Sequence, residues 1–162
     1  MCFVSFILDF DMRVVKFTSN SVQQTHAVAR VLWRTLKHIV PFDHACVIAL
    51  RGDLGAGKTA FMQGFAKAMG LGQFMTSPTF LLMRSFDVPG ATSVRTLVHI
   101  DSWRIQADDL GHLGMADALR DPHNIICIEW AERVKSLLPY DTIWVDFKHV
   151  SHTTRLITFR IP

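Results

Sequence analysis

Gly52-Asp53-Leu54-Gly55-Ala56-Gly57-Lys58-Thr59 is the most informative motif of this chain. It matches the phosphate-binding loop pattern G-x-x-x-x-G-K-[ST] at every fixed position, and fewer than about one chain in a hundred of this length should match by accident. A short apolar run at residues 45–50 precedes it, and a helical pattern at residues 60–69 follows it and is closed by Gly70. Strand, glycine loop and helix in this order predict a loop that wraps a phosphate chain.

The residue types in the loop suit a nucleoside triphosphate. Because glycine has no Cβ, Gly52, Gly55 and Gly57 permit backbone conformations in which successive N–H groups point at phosphate oxygens. Lys58 is expected to reach the β and γ phosphates, and the Thr59 hydroxyl to hold Mg²⁺. A glycine-rich turn without a ligand would explain the glycines but not a lysine followed by a threonine.

Two acids are predicted to stand at strand ends near this loop. Asp101 follows the strand-like residues 94–100, and Glu129 follows the β-rich residues 124–128. Acids delivered by neighbouring strands beside a phosphate loop are where such enzymes hold Mg²⁺, so both are expected to converge with Thr59 on one ion. A solvated acid at a strand end is the simpler alternative for Asp101.

Two further positions are weaker candidates for nucleotide contacts. Thr79 lies in a hydroxyl-rich segment around a proline that could order around a γ phosphate, or could be a plain turn into a strand. Trp130 follows Glu129 and is either a packing residue or a neighbour of the nucleotide. Guanine recognition would call for N-K-x-D, which occurs nowhere in the sequence, so adenine is the expected base.

Composition indicates one globular domain. The chain has 162 residues, 49% of them hydrophobic, a formal net charge of +3 and a pI near 9.0, which allow an acidic partner or nucleic acid but demand neither. We expect residues 12–162 to form the domain and residues 1–11 to be an N-terminal extension, with Met12 as an alternative start. No apolar run is long enough to span a membrane, and the cysteine spacing fits a reducing cytoplasm.

Helical periodicity over residues 22–38 predicts a helix, and Thr18, Ser19, Asn20 and Ser21 are expected to supply its cap. Near the end of the chain, residues 142–147 and 155–159 alternate apolar with polar side chains. This alternation predicts an antiparallel hairpin at the edge of the sheet.

Four sequence blocks, in this order and spacing, resemble the TsaE family, the ATPases of bacterial tRNA threonylcarbamoyladenosine biosynthesis. They are G-D-L-G-A-G-K-T at 52–59, S-P-T-F at 77–80, H-I-D-S-W-R at 99–104 and E-W-A-E-R at 129–133. The resemblance implies an α/β, three-layer P-loop NTPase-like fold with a mixed, mainly parallel central sheet. It also implies ATP and Mg²⁺ as cofactors and TsaD and TsaB as protein partners in the cytoplasm, with tRNA contacted indirectly or transiently.

The resemblance and the arguments above together predict the site. The expected nucleotide-binding residues are Gly52, Asp53, Leu54, Gly55, Ala56, Gly57, Lys58, Thr59, Ala60, Val22, Thr79, Trp130, Glu132 and Arg155. The expected catalytic residues are Lys58, Asp101 and Glu129, and the expected metal ligands are Thr59, Asp101 and Glu129. A P-loop small-molecule kinase and a nucleotide-dependent switch module are the alternative functions, although the sequence has no arginine cluster suited to a kinase lid.

Overall fold

The computed structural model describes residues 6–9, 12–38, 43–72, 82–90, 93–104, 110 and 113–162. The elements in chain order are β1 (Phe6–Asp9), β2 (Met12–Ser19), α1 (Val22–Leu36), β3 (Cys46–Arg51), α2 (Lys58–Ala68), β4 (Met83–Asp87), β5 (Thr96–Asp101), α3 (Met115–Arg120), β6 (Asn124–Glu129), a 3₁₀ segment (Ala131–Leu137), β7 (Ile143–His149) and β8 (Arg155–Ile161). None of the helices in these ranges has the length and apolarity needed to cross a membrane.

The strands form one eight-stranded sheet in the order β1-β2-β8-β7-β3-β6-β5-β4. The four central strands, β7, β3, β6 and β5, run parallel, whereas the pairings outside them are antiparallel. The predicted mixed sheet with a parallel centre is therefore confirmed.

The predicted position of the C-terminal hairpin is wrong. β7 and β8 do form an antiparallel hairpin, but β7 also pairs with β3 and β8 also pairs with β2, so neither strand is at an edge. The edge strands among the described residues are β1 and β4. The physical reason is that strand β2, far away in sequence, supplies the partner that satisfies the free backbone groups of β8.

Helices cover the sheet on both faces, which gives the three predicted layers. On one face α1 and α2 enclose a core that includes Phe61, Phe65, Phe147 and Phe159. On the other face α3 and the 3₁₀ segment pack on the inner strands, where Ile126 and neighbouring aliphatic side chains are buried. Strand β3 contributes to both cores and is buried except at its ends, and it therefore holds the loop that follows it in a fixed place.

The start of α1 is capped as predicted. Ser21 has an extended backbone, and its hydroxyl accepts a hydrogen bond from the Gln24 N–H at 3.2 Å. The side chain of Gln24 in turn accepts one from the Asn20 N–H at 2.7 Å. The first bond satisfies a donor that the first helical turn leaves without a partner, and the second fixes the residue before the cap.

Gly64 marks the closest approach of α2 to α1. A Cβ atom at this position would lie 2.5 Å from the Cα of His26, a backbone atom that cannot move aside alone. We expect Gly64→Ala to lower the free energy of unfolding by about 2 kcal/mol, since the helices must separate. Urea denaturation measures this difference.

Gly72→Ala is the matched control for this measurement, because a Cβ there meets nothing within 4 Å. Its free energy of unfolding should stay within about 0.5 kcal/mol of the parent value. Equal stability of the two variants would show that the contact between Gly64 and His26 is not tight in solution.

Candidate functional site

The glycine loop joins the buried strand β3 to helix α2 with the backbone that its sequence predicts. Gly52, Gly55 and Gly57 have φ values of 148°, 74° and 108°, a region that disfavours side chains bearing a Cβ. At Gly52 a Cβ would also lie 2.5 Å from the backbone oxygen of Phe147 in the neighbouring strand. The loop thus depends on glycine both for its conformation and for its close packing against β7.

Lys58 places a buried positive charge inside this loop. The residue is only 4% exposed, and its ammonium group donates hydrogen bonds to the carbonyl oxygens of Gly52 at 2.5 Å and Asp53 at 2.9 Å. Burial lowers the pKa of Lys58 below its ordinary value, while nearby acids, Glu129 first among them, oppose this shift. Among the described residues it forms no ion pair, so the groups in direct contact with its charge are neutral, as suits a site for an anionic ligand.

The Trp130 ring covers the same ammonium group. The Lys58 nitrogen lies 3.5 Å from the centroid of the Trp130 ring, a cation–π contact. Trp130 has a φ of 60°, the only positive value found for a non-glycine residue in the described part of the chain. Its ring packs on Trp103 with centroids 4.3 Å apart, and the Arg133 guanidinium lies 5.0 Å from the centroid of the Trp103 ring. The backbone at Trp130 therefore turns its ring towards the loop.

Glu129 connects the second predicted strand to the loop. Its carboxylate accepts a hydrogen bond from the Thr59 hydroxyl at 3.0 Å, and its other oxygen lies 3.3 Å from Nε2 of His99 on β5. Glu129 is 5% exposed. Two of the predicted metal ligands, Thr59 and Glu129, are therefore in direct contact.

Asp101 ends β5 at the same edge of the sheet as Glu129, its neighbour in the parallel register. Its side chain makes a local contact, because Oδ1 accepts a hydrogen bond from the backbone N–H of Trp103, two residues later, at 3.0 Å. Within the described residues no hydrogen bond joins the Asp101 carboxylate to the side chain of Thr59 or Glu129. The described residues also contain no group of three or more His, Cys, Asp or Glu side chains placed to hold a metal ion.

A pocket of about 260 Å³ opens over the loop. Its lining residues are Leu54, Gly55, Ala56, Gly57, Lys58, Thr59, Ala60, Glu129 and Trp130. All nine were expected at the nucleotide or metal site. Gly52 and Asp53 lie just outside and contribute the carbonyl groups that hold Lys58.

The remaining predicted contacts are peripheral. Arg155, at the start of β8, donates a hydrogen bond to the Gly55 carbonyl at 3.4 Å, which brings it to the loop. Val22 is 53% exposed at the start of α1, and the preceding Asn20 accepts a hydrogen bond from Thr154 beside Arg155. Glu132 is exposed on the 3₁₀ segment. The prediction for Thr79 lies outside the described residues.

Sequence reasoning overlooked His99. It singled out Asp101 in the H-I-D block, although His99 and Asp101 are two residues apart on one strand and so share a face. That alternation was the available signal, and the register of β5 against β6 puts both side chains on the face of the sheet that also carries Glu129. The contact between the Trp103 and Trp130 rings left no comparable signal, because it joins two loops that are distant in sequence.

Comparisons of the sequence with known proteins identify one family. The profile of the family described as "Threonylcarbamoyl adenosine biosynthesis protein TsaE" matches residues 19–157. The TsaE protein of Bacillus subtilis strain 168 is 31% identical over 148 residues, covering 91% of this chain and 86% of that protein. The TsaE protein of Rickettsia conorii is 35% identical over 141 residues, covering 86% and 74%.

The fold is similar to that of a solved structure. The crystal structure of Bacillus subtilis YdiB superposes with a TM-score of 0.71 at 25% sequence identity, and the match covers 94% of this chain and 88% of that one. The profile match alone extends over more than half of the chain. This chain therefore belongs to the TsaE family.

Proposed function

We propose that this protein is a Mg²⁺-dependent ATPase that sustains threonylcarbamoyladenosine modification of tRNA in the cytoplasm, acting with TsaD and TsaB. The observation that carries the proposal is the buried Lys58 ammonium, which lies in a glycine loop beside the contact between Thr59 and Glu129. Curated relatives at 31–35% identity are named for tRNA threonylcarbamoyladenosine biosynthesis. The names of these relatives support a role in tRNA modification, and the geometry of the loop supports the binding of a nucleotide and a metal ion.

The loop residues suit the binding of a triphosphate. Backbone N–H groups around Gly55 and Gly57, together with the first turn of α2, offer donors and a positive dipole end to phosphate oxygens. Lys58 offers a full charge that no described carboxylate neutralises by direct contact. An anion would replace two carbonyl groups and a ring face as the partner of Lys58, and this exchange favours binding because the new hydrogen bond joins two opposite charges instead of a charge and a neutral group.

The acids suit a metal ion at the same place. Thr59 and Glu129 offer a hydroxyl and a carboxylate, the oxygen ligands that Mg²⁺ prefers. Asp101 is one strand away and would act on the ion through water or after its side chain turns from Trp103. Mg²⁺, when bound, supplies the positive charge that stabilises developing negative charge on the phosphates.

Phosphate release in the presence of partners tests the proposal. The purified protein with ATP and Mg²⁺ should release phosphate slowly, and adding a TsaD–TsaB complex should raise the rate at least about tenfold. The TsaD–TsaB complex without this protein is the control. A rate that stays at zero under all conditions would favour a switch module, and phosphate transfer to a small acceptor instead of water would favour a kinase.

His99 is expected to position Glu129 through the contact between its Nε2 and the Glu129 carboxylate. His99→Phe removes that partner, so the Mg²⁺ concentration for half-maximal turnover should rise about tenfold, the effect typical of losing a residue that orients a metal ligand. His99→Gln keeps a donor at a similar reach and should recover much of the loss. Identical Mg²⁺ dependence in the parent and the phenylalanine variant would refute the positioning role.

Asp101 is expected to support metal placement without supporting the fold. Asp101→Asn keeps a side-chain oxygen that can accept from the Trp103 N–H, so the thermal unfolding midpoint should stay within a few degrees of the parent. Turnover at limiting Mg²⁺ should fall because the carboxylate charge is lost. If Mg²⁺ dependence is unaltered, Asp101 is only a strand-end residue that orders the turn to Trp103.

A further inference from the structure

The sheet carries a second polar surface on the side away from α1 and α2. One cross-strand row runs from Arg51 on β3 through Asp146 on β7 and Thr158 on β8 to Lys16 on β2. Side chains in register on adjacent strands share a face. The flanking residues Val15, Val145 and Ile157 point instead into the core under the two helices.

Asp146 fixes two arginines at the centre of this surface. One carboxylate oxygen accepts from Nε of Arg51 at 2.7 Å, and the other accepts from Nε of Arg160 at 2.9 Å. The side chains of Arg51 and Arg160 remain 45% and 42% exposed. Because each arginine uses only Nε for this bond, its terminal nitrogens keep their donors for another acceptor.

Lysines extend the positive charge on either side. Lys16 ends the row on β2, and Lys148 lies two residues beyond Asp146 along β7; both are exposed. We call Lys16, Arg51, Asp146, Lys148 and Arg160 the basic sheet face; it contains four cations and one carboxylate. Across four strands the row from Arg51 to Lys16 spans roughly 14 Å, a width that reaches several phosphates of one nucleic-acid strand.

The described helices leave this face open. α1 and α2 lie on the opposite side of the sheet, and α3 and the 3₁₀ segment pack around β3, β5 and β6. Its centre is charged, whereas protein–protein interfaces deplete charge at the core and keep it at the rim. A rigid basic surface with a charged centre matches a phosphate backbone better than it matches a protein.

We propose that the basic sheet face binds the phosphate backbone of RNA. The paired guanidinium groups are pre-organised by Asp146, so little side-chain entropy is lost when their terminal nitrogens bind phosphate oxygens. Trp144 lies beside them, with its ring centroid 5.6 Å from the Arg51 guanidinium. The choice of tRNA as probe rests on the proposed function, whereas the charge and the geometry do not depend on it.

Binding of fluorescently labelled tRNA to the full chain, without nucleotide, tests this inference. The double variant Lys16→Glu/Lys148→Glu changes two exposed side chains that form no ion pair with described residues. At about 0.1 M salt its affinity for tRNA should fall at least about tenfold, and the slope of log affinity against log salt should decrease by about two. Its ATP hydrolysis should equal that of the parent, because neither lysine lines the loop pocket and Lys148 lies on the opposite face of the sheet from Phe147, which packs on the loop.

The matched control is Arg30→Glu/Arg34→Glu, which makes the same change of charge on exposed residues of α1, on the opposite side of the sheet. Its affinity for tRNA should stay within about twofold of the parent. The inference is overturned if the parent does not bind tRNA, or if both double variants weaken binding equally. It is also overturned if the lysine variant binds tRNA normally and loses affinity for the TsaD–TsaB complex, which would make the face a protein interface. Since binding is measured without ATP, a failed ATPase proposal would leave this result intact.

Discussion

Lys58→Ala is expected to lower the affinity for ATP at least about a hundredfold, equivalent to about 2.8 kcal/mol, and to abolish measurable turnover. The ammonium group is almost fully buried, and its described hydrogen-bond partners are the carbonyls of Gly52 and Asp53. Burial lowers the pKa of Lys58, which means that its charged form is incompletely stabilised in the protein alone. A bound anion would stabilise this charge, and the interaction should therefore be strong. Isothermal titration calorimetry and phosphate release measure the two effects.

Lys67→Ala is the matched control, because Lys67 is an exposed lysine near the other end of the same helix. It should leave ATP affinity and turnover within about twofold of the parent values. Circular dichroism must show the parent fold in both variants. Unchanged affinity and turnover in Lys58→Ala would mean that the glycine loop does not bind the triphosphate.

Glu129→Gln is expected to slow ATP hydrolysis at least about tenfold, equivalent to roughly 1.4 kcal/mol of barrier. The substitution keeps the size of the side chain and an oxygen that can accept from the Thr59 hydroxyl, but it removes the charge that a metal ion needs. ATP affinity without Mg²⁺ should change little, because the loop supplies most contacts to the phosphates. The gain in affinity on adding Mg²⁺ should shrink.

Asp117→Asn serves as the control for the loss of one carboxylate, since Asp117 is exposed on α3 and its ion pair among the described residues is with Arg120 at the surface. Its hydrolysis rate and Mg²⁺ dependence should equal those of the parent. If Glu129→Gln also retains both and merely unfolds at a lower temperature, Glu129 is a structural residue that orders Thr59 and His99.

Local sequence patterns predicted the features that depend on neighbouring residues, namely the strand before the loop, the loop conformation and the helix cap. The apolar run before Gly52 became the central strand β3, and the loop glycines took the positive φ angles that glycine permits. Ser21 caps α1 because its hydroxyl competes for a backbone donor within three residues. Glu129 reached the loop because parallel strands end at the same edge of a sheet.

The order of the strands in the sheet could not be predicted from local sequence patterns. The hairpin of β7 and β8 was predicted from its alternation, but its place inside the sheet depends on β2, more than a hundred residues earlier. An alternating strand reveals which face is buried and says nothing about its neighbour. The parallel pairing of β7 with β3 is equally non-local.

Side-chain contacts between segments that are distant in sequence could not be predicted either. The cation–π contact of Lys58 with Trp130 depends on a positive φ at a tryptophan, which residue propensities disfavour. The contact between His99 and Glu129 depends on the register of β5 against β6. Both contacts join groups that the sequence places 30 or more residues apart, and they became visible only in the folded chain.

The content of threonylcarbamoyladenosine in tRNA, measured by mass spectrometry of nucleosides from cells depleted of this protein, tests whether the protein acts in this modification. We expect that the modified nucleoside disappears on depletion and returns when the parent protein is expressed again. Expression of Lys58→Ala at the same level should not restore it, whereas expression of Lys67→Ala should. An unchanged content of the modified nucleoside after depletion would contradict the proposed function, and full restoration by Lys58→Ala would contradict the role of the nucleotide site.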